Sequence, residues 1–257
     1  MRTSLVLFIV LFQEEGRARQ FFERITFARV DPEGEEARRI VELLRDEKHW
    51  MGAYRAIEAK FGLFPDDLRV EVDFNLEVDE YAMGAGFGSK GRVRFNLKKL
   101  NEYQKQIGEI ERQKKDLARR GRKLTFRVPP ARLDRMIYHE LTHVFQRGVE
   151  APVWFNEGMA QLMTEDLNCM TAFAVAGKLV ESIETPLAET NDTYARGHLF
   201  WKWLAARGAD RKVVQSTVFE RRPWKEALKN ATGLAWDSIV AVEREWSAKE
   251  IGKLKPK

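Results

Sequence analysis

Between residues 68 and 78 the chain reads LRVEVDFNLEV, and Leu68, Val70, Val72, Phe74, Leu76 and Val78 alternate strictly with Arg69, Glu71, Asp73, Asn75 and Glu77. A period of two puts every second side chain on the same side, so the stretch predicts a strand with one buried and one wet face. GRVRFNL (91–97) repeats the pattern with Val93, Phe95 and Leu97 inward, and RITFARV (24–30) predicts a first strand that stops at the turn signal Asp31-Pro32. From Glu35 to Phe61 the period lengthens: Ile40, Leu44, Met51, Tyr54, Ile57 and Phe61 recur at helical spacing, and Gly62 closes the helix. A small β-α-β-β layer is therefore expected before residue 100.

Between the second and third of these strands lies MGAGFGSKG (83–91). A dinucleotide fingerprint opens directly into a helix, whereas a strand follows here, so a flexible connection beside a cleft is expected. Residues 102–123 form a charged helical stretch with Arg112, Lys114, Lys115, Arg119, Arg120, Arg122 and Lys123. Glu109, Glu111 and Asp116 interrupt the basic run and no aromatic platform accompanies it, which favours a solvated helix face over nucleic-acid contact. Val128-Pro129-Pro130 ends this insertion (101–130). Beyond it the pattern is helical over 131–147, 153–166, 171–182, 194–207, 211–220, 223–231 and 236–247. Gly148, Gly208, Gly233, Pro152, Pro186 and Pro223 punctuate these segments, and the basic tail (248–257), which ends KEIGKLKPK, is expected to fray. Trp201 and Trp203 read as core residues rather than a glycan platform.

A chain of 257 residues can bury one sizeable core, and its net charge of +5 permits a loose affinity for anionic surfaces without requiring it. The single cysteine, Cys169, forbids an intramolecular disulfide and reads as a small buried apolar residue. At the N-terminus Arg2 precedes the apolar run Leu5–Phe12, with Gly16 and Ala18 at a cleavage-like position. This layout reads as a secretory signal (1–18), because the charges after Phe12 would interrupt a buried strand. The run is far too short to span a bilayer, which needs about 20 residues. An exported protein with no stable membrane span is expected.

One segment carries chemistry: YHELTHVFQRGVEAPVWFNEGMAQ (138–161). On a helix His139 and His143 project side by side, while Leu133, Ile137, Leu141 and Val144 form a packing stripe roughly opposite them. Glu140 stands about 100° round from His139, where it can reach a metal-bound water without being a ligand. This is the H-E-x-x-H zinc spacing, with the glutamate as general base. Catalytic zinc needs a third protein ligand, and after the short turn through Gly148 and Pro152 the next helix supplies Glu157. Gly158 and Ala160 are expected to let that helix approach the first closely. One Zn²⁺ per chain, held by His139, His143 and Glu157, is the reading. Gln161, four residues after Glu157, is the expected partner that orients a ligand imidazole.

HELTH followed by WFNEGMAQ resembles the gluzincin metallopeptidases, most closely the shorter bacterial families called peptidase-MA-like. The likeness extends weakly to TYARGHLFWKWLAARG (193–208), to WKEALKNATGLAWDSIVAVEREW (224–246) and to the strand pair before residue 100. It covers about 24–247, but only the two zinc segments are specific. The resemblance implies an α+β fold, in which a small N-terminal β-α-β-β layer precedes a mostly helical, thermolysin-like zincin lobe. It divides residues 19–257 into an α/β part (19–100), the insertion (101–130), a helical zinc lobe (131–247) and a basic tail. It also implies Tyr194 as the oxyanion donor, with His198 one turn on either assisting or merely packing. Where better-known gluzincins often carry an acidic residue, this chain has Gln161. Peptide or protein substrates are implied, added as a strand to a sheet edge, for which the strand at 91–97 is the expected place.

Two functions compete. A zinc metallopeptidase uses Glu140, His139, His143 and Glu157 together. A catalytically silent zincin serving as a binding or assembly module at the cell envelope would not require Glu140, and a structural zinc site normally has four protein ligands rather than three.

Overall fold

The computed structural model describes residues 14–78, 80–120, 133–164 and 190–254. In chain order these form helix α1 (14–22), strand β1 (Ile25–Phe27), α2 (Glu35–Arg45), α3 (Glu47–Phe61), β2 (Arg69–Asp73), β3 (Ala82–Phe87), β4 (Lys90–Phe95) and α4 (Leu97–Arg119). Then come α5 (Leu133–Gln146), α6 (Val153–Thr164), α7 (Thr190–Ala206), α8 (Asp210–Val214) continuing as a π-helical turn (Gln215–Phe219), α9 (Trp224–Thr232) and α10 (Trp236–Leu254). The chain is α+β and mostly helical, as expected. No described helix is long and apolar enough to cross a membrane.

The sheet runs β1-β2-β4-β3, with β1, β2 and β4 parallel and β3 antiparallel to β4. Alternation in 68–78 buries Leu68, Val70, Val72, Phe74 and Leu76 as predicted, although the ladder itself stops at Asp73 and Val78 is exposed. The long helix expected from Glu35 to Phe61 is two helices. Asp46 breaks it: its backbone is extended, and its carboxylate accepts from the Lys48 amide at 3.0 Å, capping α3. The Trp50 indole donates to the Leu44 carbonyl at 2.7 Å and satisfies the end of α2 across the break. Gly62 closes α3 in the left-handed conformation, as its position predicts.

The glycine-rich segment is not a flexible connection. It is β3 itself, and β4 is flanked by β2 and β3, so the strand at 91–97 expected to be a sheet edge is internal and β3 (82–87) lies at the edge. The reason lies in Gly84 and Gly86, which share one face of the strand. A Cβ on Gly84 would lie 2.2 Å from the Glu140 carbonyl oxygen, and one on Gly86 would lie 2.2 Å from that of Val144. Bare backbone lets β3 lie directly on α5, the helix that carries the paired histidines.

The core runs without interruption from the sheet to the helical body, and Trp201 and Trp203 are fully within it. The Trp201 indole donates to the Phe155 carbonyl at 2.7 Å, tying α7 to α6. Helix α4 is helical as read, through Arg119. Residues 121–130 of that insertion, the segment 171–182, Cys169, Pro186 and the apolar run 5–12 lie outside the described residues. Ala18, at the expected cleavage position, is fully buried on α1, and Phe21 stacks on Tyr54 with centroids 5.2 Å apart. Of the tail expected to fray, the described part is helical: α10 runs to Leu254 with Ile251 buried, and residues 255–257 lie outside the described residues.

Arg196 of α7 and Glu243 of α10 form a buried, two-pronged ion pair, and Ser247 donates to the same carboxylate at 2.5 Å. Removing one partner leaves an uncompensated buried charge, so Arg196→Met is expected to cost about 3–5 kcal/mol in urea unfolding. Arg196→Met combined with Glu243→Met should recover most of that loss. A double variant as unstable as the single one would show that packing, not charge, sets the cost.

Candidate metal centre

The residues that hold the centre come from two helices joined by a turn of six residues, 147–152. Their amphipathic period presses Leu133, Ile137, Leu141 and Val144 of α5 into the core, as the stripe predicts. His139 and His143 then leave α5 on another face, each with a side chain about one-seventh exposed. The turn between the helices is made by Arg147 and Gly148, both with positive φ, and α6 starts just beyond Pro152.

Glu157 returns to face both imidazoles. Its Oε2 lies 3.2 Å from His139 Nε2 and 3.3 Å from His143 Nε2, and the two Nε2 atoms are 3.1 Å apart. Tetrahedral zinc with bonds of about 2.0–2.1 Å places its donors roughly 3.3 Å from one another. The three atoms therefore have the spacing of one face of a zinc tetrahedron, and the residues fit that ion. They are the one His/Cys/Asp/Glu group among the described residues that gathers closely enough to hold a metal.

The electrostatics follow from proximity. Burial alone would lower the His143 pKa, but the Glu157 hydrogen bond and charge, with help from Glu140 and Gln146, raise it to about 9. Burial likewise opposes ionisation of Glu157, and hydrogen bonds and charge from the two histidines overcome it, lowering that carboxyl to about 2. Glu140 is buried beside them and does not join the triad. Desolvation raises its pKa, against the pull of His139, His143 and a hydrogen bond from the Gly84 backbone amide.

Tyr194, on α7, reaches the same place. Its ring centroid is 6.1 Å from that of His139, and its hydroxyl is held protonated well above the ordinary range by burial and by the charges of Glu157, Glu80 and Glu140. His198 is buried one turn further along α7 and is not part of the ligand group.

Two expectations fail here for one geometric reason. Gly158 does not face α5. A Cβ on it would lie 2.2 Å from the Gly197 carbonyl carbon, so it is the contact between α6 and α7. With α6 rotated that way, Gln161 accepts from Thr164 (3.3 Å) and orients no imidazole. Gln146, on α5 itself, faces one instead: its Oε1 lies 3.0 Å from His143 Nδ1, while its Nε2 donates to the Asn156 carbonyl at 2.7 Å. Its position three residues after His143 was the available signal, since i and i+3 share a helix face.

If the cluster takes a metal, proton linkage makes that binding depend on pH. The Glu157 hydrogen bond and charge raise the His143 pKa to about 9, so a zinc ion bound there would displace a proton. Apparent zinc affinity is expected to rise roughly tenfold per pH unit between pH 6 and 8, with about one proton released per ion by calorimetry in two buffers. In the metal-free protein the same pair stabilises the fold fully only between about pH 4.5 and 6.5. It fades as pH rises towards about 9 through His143 or falls towards about 2 through Glu157. A flat affinity profile would contradict the His143–Glu157 coupling.

Compared with protein-family models, curated proteins and solved structures, the chain matches none.

Proposed function

We propose that this protein is a zinc-dependent metallopeptidase. The observation that carries the reading is the convergence of His139 Nε2, His143 Nε2 and a Glu157 carboxylate oxygen at 3.1–3.3 Å, with Glu140 beside them but outside the triad. Three ligands leave a fourth position for catalysis. When bound, zinc supplies a Lewis acid that polarises a carbonyl and makes a ligated water acidic near neutral pH. Glu140 accepts the proton of the attacking water and returns it to the departing amine. The Tyr194 hydroxyl, kept protonated by its surroundings, donates to the oxyanion that develops on the scissile carbonyl. A peptide substrate lies along β3, which pairs only with β4 among the described residues and so offers a free edge next to Glu140. The same reading places the enzyme outside the cytoplasm, on the strength of Arg2 and the apolar run Leu5–Phe12.

The test is metal analysis of purified protein together with turnover of a mixed peptide library. One zinc per chain and chelator-sensitive cleavage support the enzyme. Zinc without cleavage favours the silent binding module, and no zinc removes both.

A further inference from the structure

We infer that Gln146 is a positioning residue that locks the two ligand helices together and fixes which nitrogen His143 presents to a metal. This rests on the zinc reading above and adds to it a residue at a place where the sequence pointed to Gln161.

The carbonyl of Asn156 can only accept a hydrogen bond, so the Gln146 atom 2.7 Å from it must be the amide NH₂. That sets the orientation of the whole side chain, and its oxygen then faces His143 Nδ1 at 3.0 Å. An oxygen opposite Nδ1 requires Nδ1 to carry a proton. Neutral His143 therefore keeps its lone pair on Nε2, the nitrogen that faces Glu157 and His139. Gln146 is only 4% exposed, so water does not compete for either bond.

The same amide also closes a ring of chain. Asn156 is the residue before the ligand Glu157, and its side-chain NH₂ donates to the Val149 carbonyl at 3.3 Å within the connecting turn. Gln146 thus joins His143, at the end of α5, to the backbone that presents Glu157 at the start of α6. Its two ends do separable work: the oxygen acts on the imidazole and the NH₂ acts on the turn.

Two variants separate them. Gln146→Leu loses both bonds, whereas Gln146→Glu keeps an acceptor for His143 and loses the donor to Asn156. Zinc affinity is read by chelator competition, and backbone amide exchange over 147–156 is read in the metal-free protein. Gln146→Leu is expected to weaken zinc about 10–100-fold. Gln146→Glu should stay within about threefold of wild type, and both variants should speed exchange across the turn. Equal loss of zinc in both variants would reduce Gln146 to a packing role and overturn the inference. So would unchanged affinity in Gln146→Leu, or unchanged exchange in both. If wild type binds no zinc, the peptidase reading fails on its own, and the exchange measurement still tests the lock.

Discussion

If the proposed metallopeptidase reading holds, Glu140→Gln is expected to lower peptide turnover by about 10²–10⁴-fold while zinc content stays at the wild-type level. The asymmetry follows from where the side chain sits. Glu140 is buried at 7% exposure beside the ligands without belonging to the triad, so exchanging oxygen for NH₂ removes a proton acceptor and no ligand. Stability should not suffer. Burial already disfavours the carboxylate's charge, and a neutral amide of the same shape is no worse placed. Metal analysis, thermal unfolding and library turnover on one preparation check all three statements. Loss of zinc in Glu140→Gln would make the residue part of the binding site, and retained turnover would remove it as the base.

Gly197→Ala is expected to destabilise the fold by about 3 kcal/mol or more and to disrupt the His139–His143–Glu157 cluster with it. An added Cβ would sit 1.9 Å from the Trp154 carbonyl oxygen and 2.8 Å from the Gly158 Cα. Both obstacles are backbone, so no side chain can rotate aside, and α6 and α7 must move apart. Those helices carry Glu157 and Tyr194, so the displacement reaches the site directly. Helix propensity acts in the opposite direction, favouring alanine by about 1 kcal/mol, so a net loss would isolate the packing cost. Gly108→Ala is the matched control: a Cβ added to this exposed glycine of α4 would meet nothing within 4 Å, and the replacement should be neutral or mildly stabilising. Urea unfolding of the two variants gives the comparison, and similar values for both would refute the close-packing argument.

The elements legible from the chain were those fixed by local period. Alternation buried Val70 and Val72 on one side of β2, and the 3.6-residue repeat aligned His139 with His143 opposite the Leu133–Val144 stripe. Where the pattern misled, a contact across elements had decided the outcome. MGAGFG reads as a loop because glycine is poor in strands, yet β3 needs those glycines where α5 lies on it. The helix from Glu35 hides its break because Ile40, Leu44 and Met51 stay in step across Asp46.

The sequence by itself determined which side chains share a face of one helix or strand, because that depends only on the residue repeat. It therefore announced the histidine pair, their neighbouring glutamate and a nearby third donor. Only the tertiary structure decided how α6 is turned about its own axis, and with it that Glu157 faces the histidines, that Gly158 meets Gly197, and that Gln146 rather than Gln161 holds His143. That rotation is set by how closely the backbones of α6 and α7 can approach, a property of two segments together that neither one carries in its own order of residues.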